Sequence, residues 1–537
     1  MILDLELFHD SLNDCMFDSI ASVAFWFNRR CELMFSESWK FSYTPIDTSP
    51  QNNIGIQLST IFDFKSELNC LGRYHGIKLN SNKLFASEAI NIIEKEIICQ
   101  RPVLLVMDSY FCPWDPQYKK LHTNHACLLV GIDNSKRVLY CSDAYYLKKD
   151  IPLSYDNYEE SFIRIHTFSL INIVNDKISW EQVIECASSI FLRNNTHNAI
   201  TNLGNDIENY LNISKEIFGY DEIWQAPIFE GINQVSRSRF RFGKSLHYLH
   251  EKYSTKHLLL LSKEMNFSGL RWRTIRSMLL KECAISNNVS IRPKTLKDIN
   301  VKLIEIANHE EYIANVLLNI CNKNICNNSL RYSNLLTNEF EFDNRNGEII
   351  HLDLSQHFNN KCFSKTISNT YHADLTGVGE YFLAEGLPTN EIWEIDEMRF
   401  KFPKLIDVDY DNISCANQTI NLPIHYYNSI MLLGCAEWGK ISDNILIHYS
   451  SGHTDSIWVK FSDYDWEPAF GEIIAWEGNG VKRRENDRDL LPQKARLFAK
   501  PYALQSNKPI KAITLPSCSN LHIFSISLKI VNKEGTL

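Results

Sequence analysis

The stretch Asn13-Asp14-Cys15-Met16-Phe17-Asp18-Ser19-Ile20 places a cysteine at the mouth of a helix. Ile20, Val23, Ala24 and Phe27 follow at i, i+3, i+4 and i+7, one face of a 3.6-residue period. Asn13 or Asp14 can supply the side-chain acceptor that caps the first exposed amides. A cysteine in the first turn lies at the positive end of the helix dipole, a setting in which thiols serve as nucleophiles. Most cysteines are buried small hydrophobes, so the octapeptide by itself does not establish catalysis. A nucleophile also needs a base and a group that orients the base.

Both arrive later in the chain. Residues 62–71 and 86–100 read as helices, and three short strands follow at 103–107, 126–132 and 137–141. The turn at 133–136 makes the second and third an antiparallel hairpin. In that hairpin His125, just before one strand, and Asp143, just after the other, share the open end. The carboxylate can then hold one ring nitrogen while the other faces Cys15. Read singly, His125 is a core histidine and Asp143 a turn former; the conjunction with Cys15 is what points to chemistry.

A chain of 537 residues exceeds one hydrophobic core, so two to four domains are expected. With 44% hydrophobic and 22% charged residues it has an ordinary globular composition. The net charge of -9 argues against nucleic-acid binding. No run of 18 apolar residues suggests a membrane span. Asp4, Glu6, Asp10 and Asp14 precede the first apolar segment, where a secretory signal would carry basic residues. The 15 cysteines are irregularly spaced, which reads as reduced thiols in a cytoplasmic protein. Cys321 and Cys326 have no partners placed to complete a zinc site, so no metal is expected.

The text Val106-Met107-Asp108-Ser109-Tyr110, then Tyr118, His122, His125, Gly131-Ile132-Asp133 and Ser142-Asp143, resembles the N-terminal domain of the butirosin-biosynthesis acyltransferase family. The resemblance covers roughly residues 8 to 170. It implies a papain-like cysteine-enzyme domain that moves an acyl group from a carrier-protein thioester to an amine. It also implies Cys15 as nucleophile, His125 as base and Asp143 as orienting carboxylate. His122, Tyr110 and Asp108 would lie at the rim. Papain-like enzymes carry a glutamine ahead of the nucleophile; here Asn13 stands two residues before it, and the Cys15 backbone amide is the other expected oxyanion donor.

Residues 172–330 show mainly helical periodicity, with candidates at 180–192, 201–213, 246–264, 269–282 and 296–321. Arg237, Arg239, Arg241, Arg271 and Arg273 form two locally basic stretches. They read either as ordinary ion-paired surface or as a docking patch for the acidic surface and phosphopantetheine of a carrier protein. An Asn-rich linker is expected at 331–344. From 345 to 537, short strands at 349–354, 430–433, 445–449, 456–461, 471–476, 510–515 and 521–530 alternate with turns, as in an antiparallel sandwich. Phe358-Asn359-Asn360, Gly386-Leu387-Pro388, the run 418–423, the run 432–439 and Asp465-Trp466 resemble galactose-binding-like jelly-roll modules. Glu437 and Trp438 could cradle a ligand there or be a packed pair.

The expected architecture is thus multidomain α+β: a papain-like domain over 1–171, a helical domain over 172–330, a linker, and a jelly-roll β-sandwich over 345–537. The expected function is amide formation by a cysteine acyltransferase of natural-product biosynthesis. The acyl donor would ride on the phosphopantetheine of a partner carrier protein, an amine-bearing small molecule would accept it, and no cofactor would be bound. No glycine-rich nucleotide motif is visible, in keeping with a donor activated elsewhere. A cysteine peptidase, amidase or thioesterase would use the same triad with water. A non-catalytic scaffold would leave Cys15 expendable.

Overall fold

The computed structural model describes residues 2–46, 53–59, 64–82, 84–171, 179–285, 291–322, 347–365, 373–388, 390–405, 409–482, 493–505 and 507–531. The expected linker at 331–344 lies outside them. The chain forms a multidomain α+β structure with a helical middle region and a C-terminal, jelly-roll-like curled β-sheet.

The N-terminal sheet has six antiparallel strands: β1 (Ile77–Asn82), β2 (Val103–Asp108), β3 (Asn124–Asp133), β4 (Val138–Asp143), β5 (Lys148–Ser154) and β6 (Phe162–Leu170). Their spatial order is β1-β6-β2-β3-β4-β5. β2 is buried from Val103 through Met107, which is why it reads as one apolar run. The expected hairpin is present, with Asp133 opposite Val138 across its turn. The sequence reading lacked β1, β5 and β6. β5 is an edge strand with its lysines and Asp150 exposed, so it carries no apolar signature. Helix α1 (Cys15–Trp26) and the Ala86–Ile98 helix both pack on β3. Ile20, Val23 and Ala24 enter that core as their spacing requires.

The middle region contains the helices Trp180–Arg193, Thr196–Tyr210, Pro227–Tyr253, Lys256–Ile285 and Pro293–Cys321. The single helix expected over 246–264 is in fact two, because Ser254 adopts the left-handed conformation (φ 54°) and reverses the chain. The candidates at 269–282 and 246–264 therefore share the long Lys256–Ile285 helix.

These helices close on Glu310, which is fully buried. Arg239 grips it with two bonds, Nε to Oε1 at 2.9 Å and Nη2 to Oε2 at 2.8 Å. Trp39 Nε1 (3.0 Å), Trp272 Nε1 (3.2 Å) and Ser268 Oγ (2.5 Å) also donate to it. Burial pushes this carboxyl up, but the charge and hydrogen bonds of Arg239 and the other donors outweigh it and leave it below its ordinary range.

The sandwich sets an eight-stranded sheet against a four-stranded one. The central strands Tyr427–Ala436 and Leu521–Ile530 are buried almost throughout, whereas Ile441–Tyr449 alternates over its second half. Its hydrophobic cluster continues into Trp272, Ile275, Met278 and Leu279 of the Lys256–Ile285 helix. Polar pins accompany that packing. Thr274 Oγ1 donates to the Ser442 carbonyl and accepts from the Ser442 amide, each at 3.1 Å. Ser277 Oγ reaches the Trp438 carbonyl at 2.7 Å. Lys281 pairs with buried Glu437, which also bonds His522 Nε2 at 3.0 Å. No described helix is long and apolar enough to cross a membrane.

Two outcomes follow from these buried charges. Removing one partner of such a pair costs ~3–5 kcal/mol, so Glu437→Ala should lower the thermal midpoint sharply while Glu397→Ala, on an exposed turn, should not. Glu310, held low, contributes stability that is complete above its unfolded value of roughly 4.3 and is lost as pH falls through the lower folded one. Midpoints measured from pH 3 to 7 should show that acid loss in the native chain. Glu310→Gln should be less stable at pH 7 and show a shallower acid limb.

Candidate functional site

Asp14 caps α1, its Oδ1 accepting from the Phe17 amide at 3.0 Å, so Cys15 is the first helical residue. The Cys15 amide therefore belongs to the first turn, whose amides have no intrahelical acceptor. Cys15 is half-buried. His125, 5% exposed, extends from β3, and Asp143, fully buried, closes β4. His125 Nε2 lies 2.6 Å from Asp143 Oδ2. The same carboxylate accepts from Trp114 Nε1 at 2.7 Å and from the Tyr146 amide at 3.1 Å. With Nε2 taken, Nδ1 is the ring atom left for other partners, and Asp115 Oδ2 stands 3.7 Å from it.

The Cys15 side chain is near enough to the imidazole to act on its proton affinity. Burial pulls the His125 pKa down, but the hydrogen bonds from Asp143 and Cys15, and then their charges, push it up to about 10. Burial likewise raises Asp143, and the His125 bond and charge with the Trp114 and Tyr146 donors hold it below its usual range. The ring is thus an imidazolium at neutral pH, with a carboxylate fixing one side. The structure joins His125 to Asp143 at 2.6 Å, and Cys15 is a third group that acts on the same ring.

Asn13 is buried, and its Nδ2 donates to Asp18 Oδ1 at 3.0 Å. Asp18 also receives His9 Nδ1 at 2.7 Å and the Asp10 amide at 3.1 Å. The Asn13 amide nitrogen thus braces the turn before Cys15. Of the residues expected at a rim, His122 Nδ1 meets Asp108 Oδ2 at 2.6 Å and His122 stacks on Tyr110 with ring centroids 4.3 Å apart. Lys119 Nζ lies 5.0 Å over the Tyr110 ring.

Sequence reasoning missed Trp114, Asp115 and Tyr146, which surround the His125–Asp143 pair from the loops after β2 and β4. Their signal was faint, because loops carry no hydrophobic period. Cys112, Asp115 and His125, all buried, place ligand-type atoms within 4.8 Å of one another. This trio has the donor chemistry to hold a divalent cation, which the cysteine spacing did not suggest. Burial pushes the Cys112 thiol well up, so binding there would have to displace its proton. The His125 Nδ1 it would use is also the ring atom left for Cys15.

The five arginines do not form one surface. Arg239 is buried on Glu310, and Arg241 is buried with its Nη2 3.5 Å from Asp14 Oδ2 and its guanidinium over the Phe17 ring. Arg271 is buried with Nη2 2.7 Å from Glu305 Oε2. Arg239 and Arg271 are taken up by carboxylates of other segments, Arg241 lines the cavity at Asp14, and Arg237 and Arg273 line a separate open cleft. Glu437 is likewise taken up by Lys281 and His522 and is not offered to a ligand, whereas Trp438 lines that same cleft.

The fold and site define an α+β chain with a buried His125–Asp143 pair on its N-terminal sheet, Cys15 at the start of α1, and a C-terminal β-sandwich. Residues 348–532 match the family model described as the AziU2-like beta-sandwich domain. No curated protein matches the chain.

The His125 ring should keep its second proton to about pH 10 when followed by nuclear magnetic resonance, and Asp143→Asn should bring the titration down markedly. Because the folded value is raised, the associated stability is complete below roughly pH 6.5 and is lost as pH rises through about 10. A ring titrating near its ordinary value in the native chain would contradict this electrostatic arrangement.

Proposed function

We propose that the N-terminal domain is a papain-like cysteine acyltransferase that forms an amide. The observation that carries this reading is His125 standing between Asp143 and Cys15, with Cys15 at the start of α1. Chain order, cysteine then histidine then aspartate, agrees with the butirosin-type family resemblance. The Cys15 sulfur attacks the carbonyl carbon of a thioester carried on the phosphopantetheine of a partner carrier protein. The tetrahedral oxyanion leans on first-turn amides of α1 and collapses, breaking the carbon–sulfur bond of the donor. The His125 imidazolium gives its proton to the departing thiolate, leaving a neutral ring and an acyl-Cys15. An amine then attacks the acyl carbon, and His125 removes a proton from its nitrogen. Collapse releases the amide and returns the Cys15 thiolate beside a protonated His125. Atoms and charges balance without an external oxidant, reductant or nucleotide.

An amine acceptor is supported by a second feature. A cavity of about 420 Å³ opens at Asp14, the residue before the nucleophile; Glu67 and Glu230 line it with Phe17 and Phe64, and Arg241 is the one cation in its wall, over the Phe17 ring and 3.5 Å from Asp14. Carboxylates and aromatic rings together suit an ammonium-bearing small molecule.

Incubation with an acyl-loaded carrier should add the acyl mass to the wild-type chain, and Cys15→Ala should gain none. His125→Ala should lose roughly 10²- to 10⁴-fold in turnover, the usual contribution of a positioned base. Amines should discharge the adduct faster than water does. Discharge by water alone would move the assignment to a thioesterase or peptidase, and a full cycle in Cys15→Ala would leave a scaffold.

A further inference from the structure

A larger cleft, of about 620 Å³, lies where the Pro227–Tyr253 and Lys256–Ile285 helices meet the sandwich loops around 438–440 and 463–466. Neither Cys15 nor His125 lines it. Its helical wall carries Arg237, Arg273 and Arg276, and Lys440 joins them from the sandwich. All four are half-buried. No carboxylate among the described residues forms an ion pair with Arg237 or Arg273. The Arg273 guanidinium stacks 4.6 Å from the Phe240 ring centroid, and the charged groups acting on it are Arg237 and Arg276. Burial first, and then these two cations, push Arg273 down to about 10. Arg276 donates Nε to the Phe229 carbonyl at 3.1 Å and feels Glu230 as its one opposing charge. Lys440 is lowered by burial and by Arg273, with Glu472 acting weakly the other way.

Gathering like charges in a partly desolvated cleft is unfavourable unless something answers them. It is the more notable in a chain with 64 acidic against 55 basic side chains. The arginines elsewhere in these helices each found a carboxylate: Arg239 has Glu310, Arg271 has Glu305 and Arg241 has Asp14. The cleft group did not. Guanidinium forks match phosphate oxygens in pairs, and an anion placed between them would relieve their repulsion. Two tryptophans border the same cleft with open faces, Trp466 at 46% and Trp224 at 49% exposure. Lys440 Nζ already sits 5.7 Å over the Trp466 ring centroid. The acidic side of the cleft is Glu380, Asp463 and Asp465: Glu380 accepts from Tyr464 and Lys482, the Gly439 amide donates to Asp463, and burial with Asp465 beside it pushes Asp463 up, towards its neutral form.

We infer that this cleft is a binding site for a phosphorylated small molecule, its phosphate held by Arg237, Arg273, Arg276 and Lys440 and its planar or apolar part laid on Trp466. A small molecule fits better than the acidic face of a protein, because the cations are recessed in a cleft of small-molecule size, ~300–1,000 Å³, and not spread on a flat surface. The inference is independent of the Cys15 chemistry, and Cys15→Ala should leave it intact.

The test is a titration of the full chain with inorganic pyrophosphate, adenosine 5′-diphosphate and adenosine, followed by tryptophan fluorescence and calorimetry at low and at 150 mM salt. Pyrophosphate and the diphosphate should both bind saturably, the diphosphate at least threefold tighter, and adenosine should not. Arg273→Ala and Arg237→Gln should each weaken both anions about tenfold or more, the loss of a charge-assisted pair. Trp466→Ala should erase the advantage of the diphosphate and leave pyrophosphate unchanged. Far-ultraviolet circular dichroism certifies that each variant is folded, and Arg237→Gln, at a half-exposed position, carries the test where Arg273→Ala does not fold. Absence of saturable binding by either phosphate would overturn the inference. So would binding unchanged in the folded arginine variants, or arginine-dependent binding of an acidic carrier protein alone.

Discussion

Glu310 is the constraint on which the middle of the molecule depends. A carboxylate with no exposure is tolerable only when donors fill its lone pairs, and here five bonds from four side chains do so. Those donors come from the N-terminal segment, the Pro227–Tyr253 helix and the Lys256–Ile285 helix, while Glu310 belongs to Pro293–Cys321. Each segment is thereby fixed relative to the others by hydrogen-bond geometry as well as by packing. Hydrophobic contacts alone would let such helices slide, because burial is non-directional. Trp39, stacked on Phe242 and tilted against Phe191, extends the same arrangement into a neighbouring aromatic cluster.

The candidate catalytic cluster applies the same rule to a smaller object. Asp143 is buried and carries three donors, and one of them is the imidazole it orients. Because Trp114 and the Tyr146 amide share the carboxylate with His125, the ring has little freedom to turn. Electrostatics then set its charge: the imidazolium, held by the Asp143 carboxylate and acted on by Cys15, keeps its proton far above neutrality. Glu437 is a third case, pinning helix to sandwich through Lys281 and His522. In each case a buried charge is matched by groups distant in the chain.

The cleft beside the sandwich reverses the pattern. Its arginines and Lys440 are recessed, and Arg273 and Lys440 mainly feel neighbouring cations, while Arg276 has Glu230 as its opposing charge. Charge left unanswered inside a well-answered molecule is where an external ligand has most to contribute. The contrast within a single helix is direct: Arg239 and Arg241 turn inward to carboxylates, while Arg237, two residues before Arg239, faces the cleft.

Local pattern determined much of the fold. The apolar period after Cys15 and the cap at Asp14 fixed α1, since helix starts are governed by neighbouring residues. The turn at 133–136 fixed the register that carries His125 and Asp143 to one end, because a hairpin is a short-range object. Alternating and turn residues after 345 likewise made the sandwich legible, and its match over residues 348–532 agrees. Tertiary structure alone decided which polar groups meet. Trp39 reaches Glu310 across 271 positions and Lys281 reaches Glu437 across 156, distances at which periodicity carries no information. The same reason explains the arginines: their spacing was visible, but which face each presents depends on the carboxylates that other segments bring. It explains β5 and β6 as well, whose place in the sheet is set by neighbours and not by apolar runs of their own. The sequence by itself therefore determined α1, the 133–136 hairpin and the sandwich strands, and it displayed Cys15, His125 and Asp143 as candidates. Packing decided which charges are answered within the molecule and which are left to meet something outside it.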